Sequence, residues 1–443
     1  MKTKENLLTE NELKLVLRYI IPSMGGMVGM SLYIFADTFF IANGVGSVGL
    51  TSLNIALPLF SIFTGTGLLI GIGGATVFSI SKGSGDKGKE ETTFYASIKI
   101  GIILSIIYMI IGLVFTEKIA YLLGASEQTI EMVNTYIRTI FFFIWAFILN
   151  NIFLAFIRND GSPKLTMLSM LTSTLGNIIL DYVFIYIFKW GMFGAAAATG
   201  FSPIVSMLIL STHFFKKNNT LKIKKVKVTF IRVKEIMQSG IASFITEMSS
   251  GAVIFFFNIV VLKIVGDIGV AAYGIIANVA LVAVSIFNGI GQGLQPLISI
   301  NYGAQKYERL KNIIKHGLII ALGLGTAFYV LALIFPREIT MMFNSENIEE
   351  LTVLTVRGIK IYFSALVIMG VNMTTAIILQ SLAKTKESSL ISMLRGFVAV
   401  LIGLITLPLI FGLDGVWLTV PLSEVITLVV SSIIAFKYIK IYN

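Results

Sequence analysis

The chain has 443 residues, of which 56% are hydrophobic and only 13% are charged. Together with a mean hydropathy of +0.89, this composition excludes a soluble globular protein and indicates an integral membrane protein. The chain contains no cysteine, which excludes disulfides, thiolate metal sites and cysteine nucleophiles.

Apolar stretches recur along the whole chain, each close to or longer than the roughly 20 residues that cross the hydrocarbon layer as a helix. We therefore predict an all-α integral membrane fold of twelve transmembrane helices, arranged in two six-helix bundles, the N-lobe and the C-lobe. The predicted helices span about residues 15–41, 50–81, 93–115, 130–157, 164–188, 192–215, 234–262, 270–300, 311–335, 351–381, 388–411 and 415–437.

The first helix lacks a small-residue cleavage site and is needed for an even helix count, so we do not expect a cleaved signal peptide. With the N-terminus in the cytoplasm, cytoplasmic segments hold 27 of the 34 lysines and arginines, in agreement with the positive-inside rule. We therefore expect a multi-pass protein of the cytoplasmic (inner) membrane with both termini in the cytoplasm.

The first helix also carries a carboxylate, Asp37, inside an apolar segment, with Pro22 fifteen residues before it. A charge at bilayer depth costs about 2.5 kcal/mol or more, so such a residue is a functional hypothesis by default. Because Pro22 removes a backbone hydrogen bond, we expect a hinge there, with a static kink as the alternative. On the fourth helix, Asn150 and Asn151 are predicted to line a cavity.

The fifth and sixth helices add polar residues at a similar depth. Asp181 follows Asn177 by one helical turn, and Thr199 lies on the sixth helix; with Asp37 they fall near the outer ends of their helices. Their oxygen atoms suit a small hard cation such as Na⁺. Alternatively, two close carboxylates form a proton carrier. The structural alternative is that each acid only bonds to backbone or caps a helix end.

A basic cytoplasmic linker, residues 216–233, joins the predicted N-lobe (1–215) to the C-lobe (234–443). Eight basic residues lie between Lys216 and Lys234, as expected of an inner loop that meets anionic lipid. We therefore do not read its KIKKVKV run as a nucleic-acid site. His213, just before the linker, is expected to meet lipid headgroups.

The second half contains two acids inside apolar helices, Glu247 on the seventh and Glu424 on the twelfth. Each is predicted to bind a cationic substrate or a proton, and pairing with a polar neighbour is the alternative.

An internal repeat relates the two halves. The segment Val45–Gly49 matches Val265–Gly269, and three later glycines of the first half match glycines of the second, all at an offset of 220 residues. Six helices per half place the relating axis along the membrane normal, with a cleft between the lobes. At the matching positions Asp37 falls on Phe257 and Asp181 on Gly403. The cation site is therefore predicted in the N-lobe only.

The sequence predicts that this chain does not hydrolyse ATP. The pieces GIGGAT and GSGDKG lack the Gly-Lys-Ser/Thr ending of a phosphate-binding loop. We expect no cofactor other than the coupling ion, Na⁺ or H⁺.

Several of these motifs together resemble the prokaryotic multidrug and toxic compound extrusion (MATE) transporters, closest to their MepA-like and DinF-like branches. The resemblance covers nearly the whole chain and rests on the segment from Asn177 to Asp181, the run from Gly194 to Thr199, the RNDGSPK turn at 158–164, and the spacing of Pro22 and Asp37. It implies a monomeric secondary antiporter that exports lipophilic organic cations in exchange for Na⁺ or H⁺. The residues it implies for the cation site are Asp37, Asn177, Asp181 and Thr199.

Two other functions fit part of the pattern. A lipid-linked glycan flippase would share the two-lobed bundle, but it needs a basic cleft for pyrophosphate, whereas the buried charges here are mainly acidic. An intramembrane enzyme needs clustered metal-binding carboxylates such as DDxxD, or a His-Glu-x-x-His pair, and neither occurs. We therefore predict a transporter rather than an enzyme.

Overall fold

Twelve long apolar helices dominate the computed structural model, which describes residues 7–217, 219–222, 227–344 and 347–442. Their number and order confirm the predicted fold. They are α1 Glu12–Gly44, α2 Ser47–Ser84, α3 Lys87–Val114, α4 Ile130–Asn159, α5 Pro163–Ile187, α6 Gly191–Phe215, α7 Phe230–Val265, α8 Asp267–Gly303, α9 Tyr307–Ile334, α10 Glu349–Ser381, α11 Thr385–Phe411 and α12 Leu413–Ala435. Residues 223–226 of the KIKKVKV run lie outside the described residues.

Several helices begin earlier than hydropathy predicts, because polar capping residues extend them beyond the apolar core. The Asn11 side chain accepts a hydrogen bond from the backbone of Lys14 and so starts α1 at Glu12. Asp86 caps α3 and Thr229 caps α7 in the same way. A capping oxygen satisfies a backbone N–H that has no partner within the helix, so these starts are set by local chemistry rather than by apolar length.

The two lobes approach each other most closely along the half of the molecule that carries the termini. Glycines allow this approach: a Cβ on Gly240 of α7 would overlap the carbonyl oxygen of Leu69 on α2, and a Cβ on Gly303 of α8 would overlap that of Ile80. Small residues at such crossings let helix backbones touch, which is how membrane helices pack without a hydrophobic driving force.

Buried polar contacts join the lobes in the same half. The Gln295 side chain on α8 donates to Thr76 Oγ1 of α2 (3.2 Å) and accepts from Asn159 Nδ2 of α4 (2.6 Å). The hydroxyls of Ser31 on α1 and Ser285 on α8 lie 2.7 Å apart near mid-helix. These contacts, with the glycine crossings, close the passage between the lobes at the end that carries the termini.

The hydrophobic cores cross the boundary between the lobes. Tyr19 and Ile20 of α1 pack into the core of the C-lobe, whereas Ile236 of α7 packs into the core of the N-lobe. In the half of the molecule that carries the termini, α1 therefore packs against the C-lobe and α7, the first helix of the C-lobe, packs against the N-lobe.

Candidate functional site

The four polar residues predicted for the N-lobe lie on three helices that pack together. Asp37 is on α1, Asn177 and Asp181 are on α5, and Thr199 is on α6. Helix α5 contacts both α1 and α6. The carboxyl groups of Asp37 and Asp181 are close enough to act on each other electrostatically, and Thr199 lies near Asp37. The structure therefore brings together residues that are up to 162 positions apart in the sequence.

Burial of these side chains is nearly complete. Asn177 and Asp181 are 0% exposed, Thr199 is 1% exposed and Asp37 is 5% exposed. Both carboxylate oxygens of Asp181, both polar atoms of Asn177, the Thr199 hydroxyl and one Asp37 oxygen are buried without a hydrogen-bond partner. A buried polar atom that lacks a partner costs about 1–3 kcal/mol, and more when it is charged. Such a cluster is therefore suited to bind a cation or a proton.

The oxygen atoms of this cluster fit a hard cation. Carboxylate, amide and hydroxyl oxygens are the ligand types that such ions prefer. Among the described residues, the structure holds no group of three or more acidic, histidine or cysteine side chains arranged for a metal ion. Two carboxylates with neutral oxygens suit a singly charged ion or a proton better than a transition metal.

Two tyrosines that were not among the predicted site residues extend the cluster. Tyr33 on α1 and Tyr136 on α4 lie close enough to Asp37 and Asp181 to sense their charge, and Thr199 lies near both tyrosine hydroxyls without the geometry of a hydrogen bond. The Tyr136 hydroxyl is buried without a partner. Tyr33 precedes Asp37 by four residues, a spacing that places them on one helix face and was visible in the sequence. Nothing near Tyr136 in the chain points to the cluster.

The end of α5 departs from α-helical geometry immediately after Asp181, where residues Tyr182–Ile187 form a π-helix. Short π-helical turns occur frequently at functional sites, because they widen the helix and re-aim neighbouring side chains. The irregular turn therefore lies beside the two carboxylates.

Glu247 on α7 lies at the boundary between the lobes. Its Cβ is 3.6 Å from the position that a side chain would take on Gly65 of α2. The residue is half-buried, and among the described residues its carboxylate has no ion-pair or hydrogen-bond partner. Its predicted role stays a prediction, but its place in the interlobe space is compatible with a positively charged substrate.

Glu424 on α12 has a different environment, since an arginine neutralises it. Arg395 on α11 donates to Glu424 Oε1 from Nε (3.0 Å) and Nη2 (2.8 Å), and Asn372 on α10 donates to Oε2 at 2.7 Å. Glu424 is 2% exposed, and Arg395 lies in a second π-helix, Leu394–Val398. The pairing that the sequence analysis left open as an alternative is therefore present.

The other predicted residues have mixed surroundings. The Asn150 side-chain oxygen is buried without a partner, whereas Asn151 bonds to the Phe147 carbonyl (3.0 Å) and packs against Gly67 of α2. Pro22 is buried inside α1, which continues through it to Gly44. The hinge stays a prediction.

His213 does not lie among headgroups as expected. It is 2% exposed, and its Nε2 lies 2.8 Å from Asp160, a residue of the RNDGSPK turn. Asp160 also accepts from Lys82 Nζ (2.5 Å) and from the backbone of Thr220 in the linker (2.8 Å). Burial acts to raise the pKa of Asp160, but the His213 hydrogen bond and the Lys82 charge outweigh burial and hold that pKa below its usual value. Asp160 therefore fastens the start of the linker to the N-lobe as a buried anion.

Comparison with known proteins identifies related chains. The MatE family profile matches residues 22–183 and 241–405, which together make up more than half of the chain. The multidrug export protein MepA of Staphylococcus saprophyticus is 27% identical over 427 residues, covering 95% of this chain and 93% of that protein. MepA of Staphylococcus aureus is also 27% identical, over 96% of this chain and 93% of its own.

Solved structures share the whole fold. A multidrug resistance MATE family transporter of the MOP superfamily, in an outward-facing conformation, superposes with a TM-score of 0.93 at 22% identity, over 99% of this chain and 98% of that one. A MOP superfamily transporter from Pyrococcus furiosus, described as having a binding pocket of reverse polarity that suggests a different function, superposes with a TM-score of 0.92 at 21% identity, over 100% and 99% of the two chains. A shared backbone does not fix what a transporter binds, so function has to be argued from the side chains.

Proposed function

Because this chain belongs to the MatE family, we propose that it is a multidrug efflux antiporter, which exports lipophilic organic cations in exchange for Na⁺ or H⁺. The observation that carries the proposal is the set of buried, unpartnered oxygen atoms on Asp37, Asn177, Asp181 and Thr199. Family membership supports transport rather than enzymatic chemistry. The buried charge supports coupling to a cation.

Transport would use competition between the coupling ion and the substrate for negative charge. Two carboxylates enclosed in one lobe repel each other and are costly to keep ionised. A Na⁺ ion or a proton that binds there relieves this cost, and the state in which it binds becomes favoured. A ligand can shift a conformational equilibrium only by its difference in affinity for the two states. The same charge cannot be neutralised twice, so ion binding lowers the affinity for a cationic substrate.

Glu247 supports the binding of a cationic substrate between the lobes. It lies at the lobe boundary and has no charged partner among the described residues, so a cation in the space between the lobes would contact it. Arg395 already neutralises Glu424, so we assign the attraction for substrate to Glu247 and to the N-lobe acids. Because Arg395 is engaged by Glu424, it is not free to bind a pyrophosphate between the lobes, which argues against a glycan flippase.

Efflux of ethidium from cells or inverted vesicles, with Na⁺ and pH gradients imposed separately, tests this proposal. We expect the chain to lower internal ethidium when one of the two gradients is present and to stop when it is collapsed. Export that is indifferent to both gradients would disprove coupling. If no organic cation moves under any gradient, the assignment of the substrate class is wrong.

Alternating access makes a further prediction at the lobe boundary, where Ser31 and Ser285 face each other. The chain has no cysteine of its own, so a Ser31→Cys/Ser285→Cys double variant holds a single cysteine pair. The two hydroxyl oxygens lie 2.7 Å apart, so cysteine sulfurs in their place would face each other across the lobe boundary, as an S–S bond of about 2.05 Å requires. We expect oxidation to hold the lobes in this arrangement and to reduce efflux by roughly tenfold or more, with recovery upon reduction.

Each single-cysteine variant is the matched control, since neither can form the cross-link. Full efflux by the oxidised double variant, with the disulfide verified by mass spectrometry, would show that the lobes need not separate at this point.

A further inference from the structure

The outer end of the C-lobe, opposite the termini, holds a surface cavity of ≈ 330 Å³ that the transport cycle does not use. It lies between the start of α10 and the short helix Pro336–Met341 that follows α9. Basic, acidic and apolar side chains line it together. Six of them are Arg337, Glu349, Val353, Val356, Arg357 and Lys360.

Among the described residues of this lining, basic groups outnumber acidic groups, and their pairing is incomplete. Arg337 lies 3.5 Å from Glu349, and these side chains are 64% and 70% exposed. Arg357 pairs with Asp414 beside the cavity but remains 65% exposed. Lys360 has no ion-pair or hydrogen-bond partner among the described residues. Exposed ion pairs contribute little free energy, so most N–H donors here are available to another anion.

The surroundings of the cavity are apolar, as expected at a membrane surface. Lys360 comes eleven residues after the start of α10 at Glu349, or roughly 16 Å along a helix that crosses the membrane. Large apolar side chains near the cavity are exposed: Phe335, Met342, Phe343, Ile348 and Val353. Lysines and arginines in such a place keep their stems against lipid and extend the charged ends to the headgroups.

The internal repeat shows that the fold does not require this charge. The equivalent surface of the N-lobe, at offsets of 220 and 222 residues, replaces Arg337 with Glu117, Val353 with Glu131 and Arg357 with Thr135. Glu349 is matched by Glu127, and Lys360 by Arg138. Three acids and one base thus stand where the C-lobe has three bases and one acid. The basic lining is a property of this site rather than of the helix arrangement.

We propose that this cavity binds the phosphate of an anionic glycerophospholipid. Arg337, Arg357 and Lys360 would donate N–H groups to the phosphate oxygens, and charge-assisted bonds of this kind are among the stronger hydrogen bonds in proteins. Val353 and Val356 would contact the glycerol and the first acyl carbons. The combination of phosphate-binding and apolar groups favours a lipid over a free anion.

Native mass spectrometry of the full chain in detergent, with dioleoylphosphatidylglycerol or dioleoylphosphatidylcholine added, tests the proposal. We expect the native chain to retain the anionic lipid preferentially. An Arg337→Gln/Lys360→Gln variant should lose this preference by about fivefold per basic residue, the usual contribution of one basic residue to binding anionic lipid. Arg138→Gln, which removes the equivalent base of the N-lobe, should leave the preference within about twofold of the native value, since acids surround that position.

Competition with water-soluble glycerol phosphate separates the two sources of phosphate. If glycerol phosphate displaces phosphatidylglycerol at equal concentration, the cavity is a free-anion site and the lipid assignment is wrong. Equal retention of the two lipids by the native chain, or equal loss in the Arg138→Gln control, also overturns the proposal. The altered side chains are exposed, and an unchanged elution volume in size-exclusion chromatography verifies that the variants are folded.

Discussion

The Asp37→Asn variant is expected to lose gradient-driven efflux of organic cations, by roughly 5–150-fold, the range that coupling free energies between sites usually span. The substitution keeps the shape of the side chain but removes one of two buried acids that act on each other. With a single carboxylate left, a Na⁺ ion or a proton gains much less from binding. The measurement is the initial rate of ethidium efflux under the gradient that drives the native chain.

Two comparisons make this result specific. Asp181→Asn should have an effect of the same order, because both carboxylates belong to one cluster. Asp267→Asn changes an exposed acid at the start of α8, at the end of the molecule opposite the termini, and should leave the rate within about twofold, since exposed charges interact weakly. Equal rates for native and Asp37→Asn chains under every gradient would contradict the N-lobe coupling site.

Tyr33→Phe separates coordination from charge within the same cluster. Its hydroxyl lies near Thr199 and the two acids, but the tyrosine is not a carboxylate and supplies no negative charge of the kind that Asp37 supplies. A smaller loss than that of Asp37→Asn is therefore consistent with a supporting role around the carboxylates.

Much of the fold could be predicted because membrane insertion imposes a simple rule. Each span needs about 20 apolar residues with every backbone group hydrogen-bonded inside the helix. A contiguous apolar stretch of that length is therefore enough to identify a span. Helix starts were less predictable, since Asn11 and Asp86 cap their helices through single hydrogen bonds outside the apolar stretch. Hydropathy does not detect such contacts.

The residues of the candidate site could be grouped from the sequence where their signal was local. Asp37 and Asp181 are charges in apolar helices, and Asn177 precedes Asp181 by one turn, so depth and helical period suffice to group them. Tyr136 could not be predicted, because only the packing of α4 brings its hydroxyl to the acids. A tyrosine in an apolar helix has no distinctive pattern of its own.

The ion pairs of Asp160 could not be predicted from the sequence either. His213 follows Asp160 by 53 residues, and Lys82 precedes Asp160 by 78 residues. Each looks like an ordinary residue at a helix end, where water and headgroups would solvate it. Their burial depends on the linker, because the backbone N–H of Thr220 donates a hydrogen bond to Asp160 in the turn.

The Arg395 and Glu424 pair gives the second large expected effect. Arg395→Met leaves the Glu424 carboxylate, 2% exposed, without its positive partner. Removing one member of a buried ion pair costs about 3–5 kcal/mol, because the remaining charge is neither solvated nor compensated. We therefore expect a large fall in the thermal unfolding temperature of the purified chain in detergent. Glu424→Gln should destabilise less, since Arg395 is 12% exposed and its charged end keeps some access to solvent.

The double variant Arg395→Met/Glu424→Gln decides what the pair does. Replacing both members of a buried pair with neutral side chains is often nearly neutral in free energy, and the Asn372 amide can still donate to the oxygen of a glutamine. We expect the double variant to recover most of the lost stability and, if Glu424 only holds α11 to α12, to retain efflux as well. A double variant that is as stable as the native chain but does not transport would instead assign Glu424 to substrate or proton binding, as the sequence predicts. Full stability of the Arg395→Met single variant would contradict the pairing itself, because an uncompensated carboxylate at that depth cannot be free of cost.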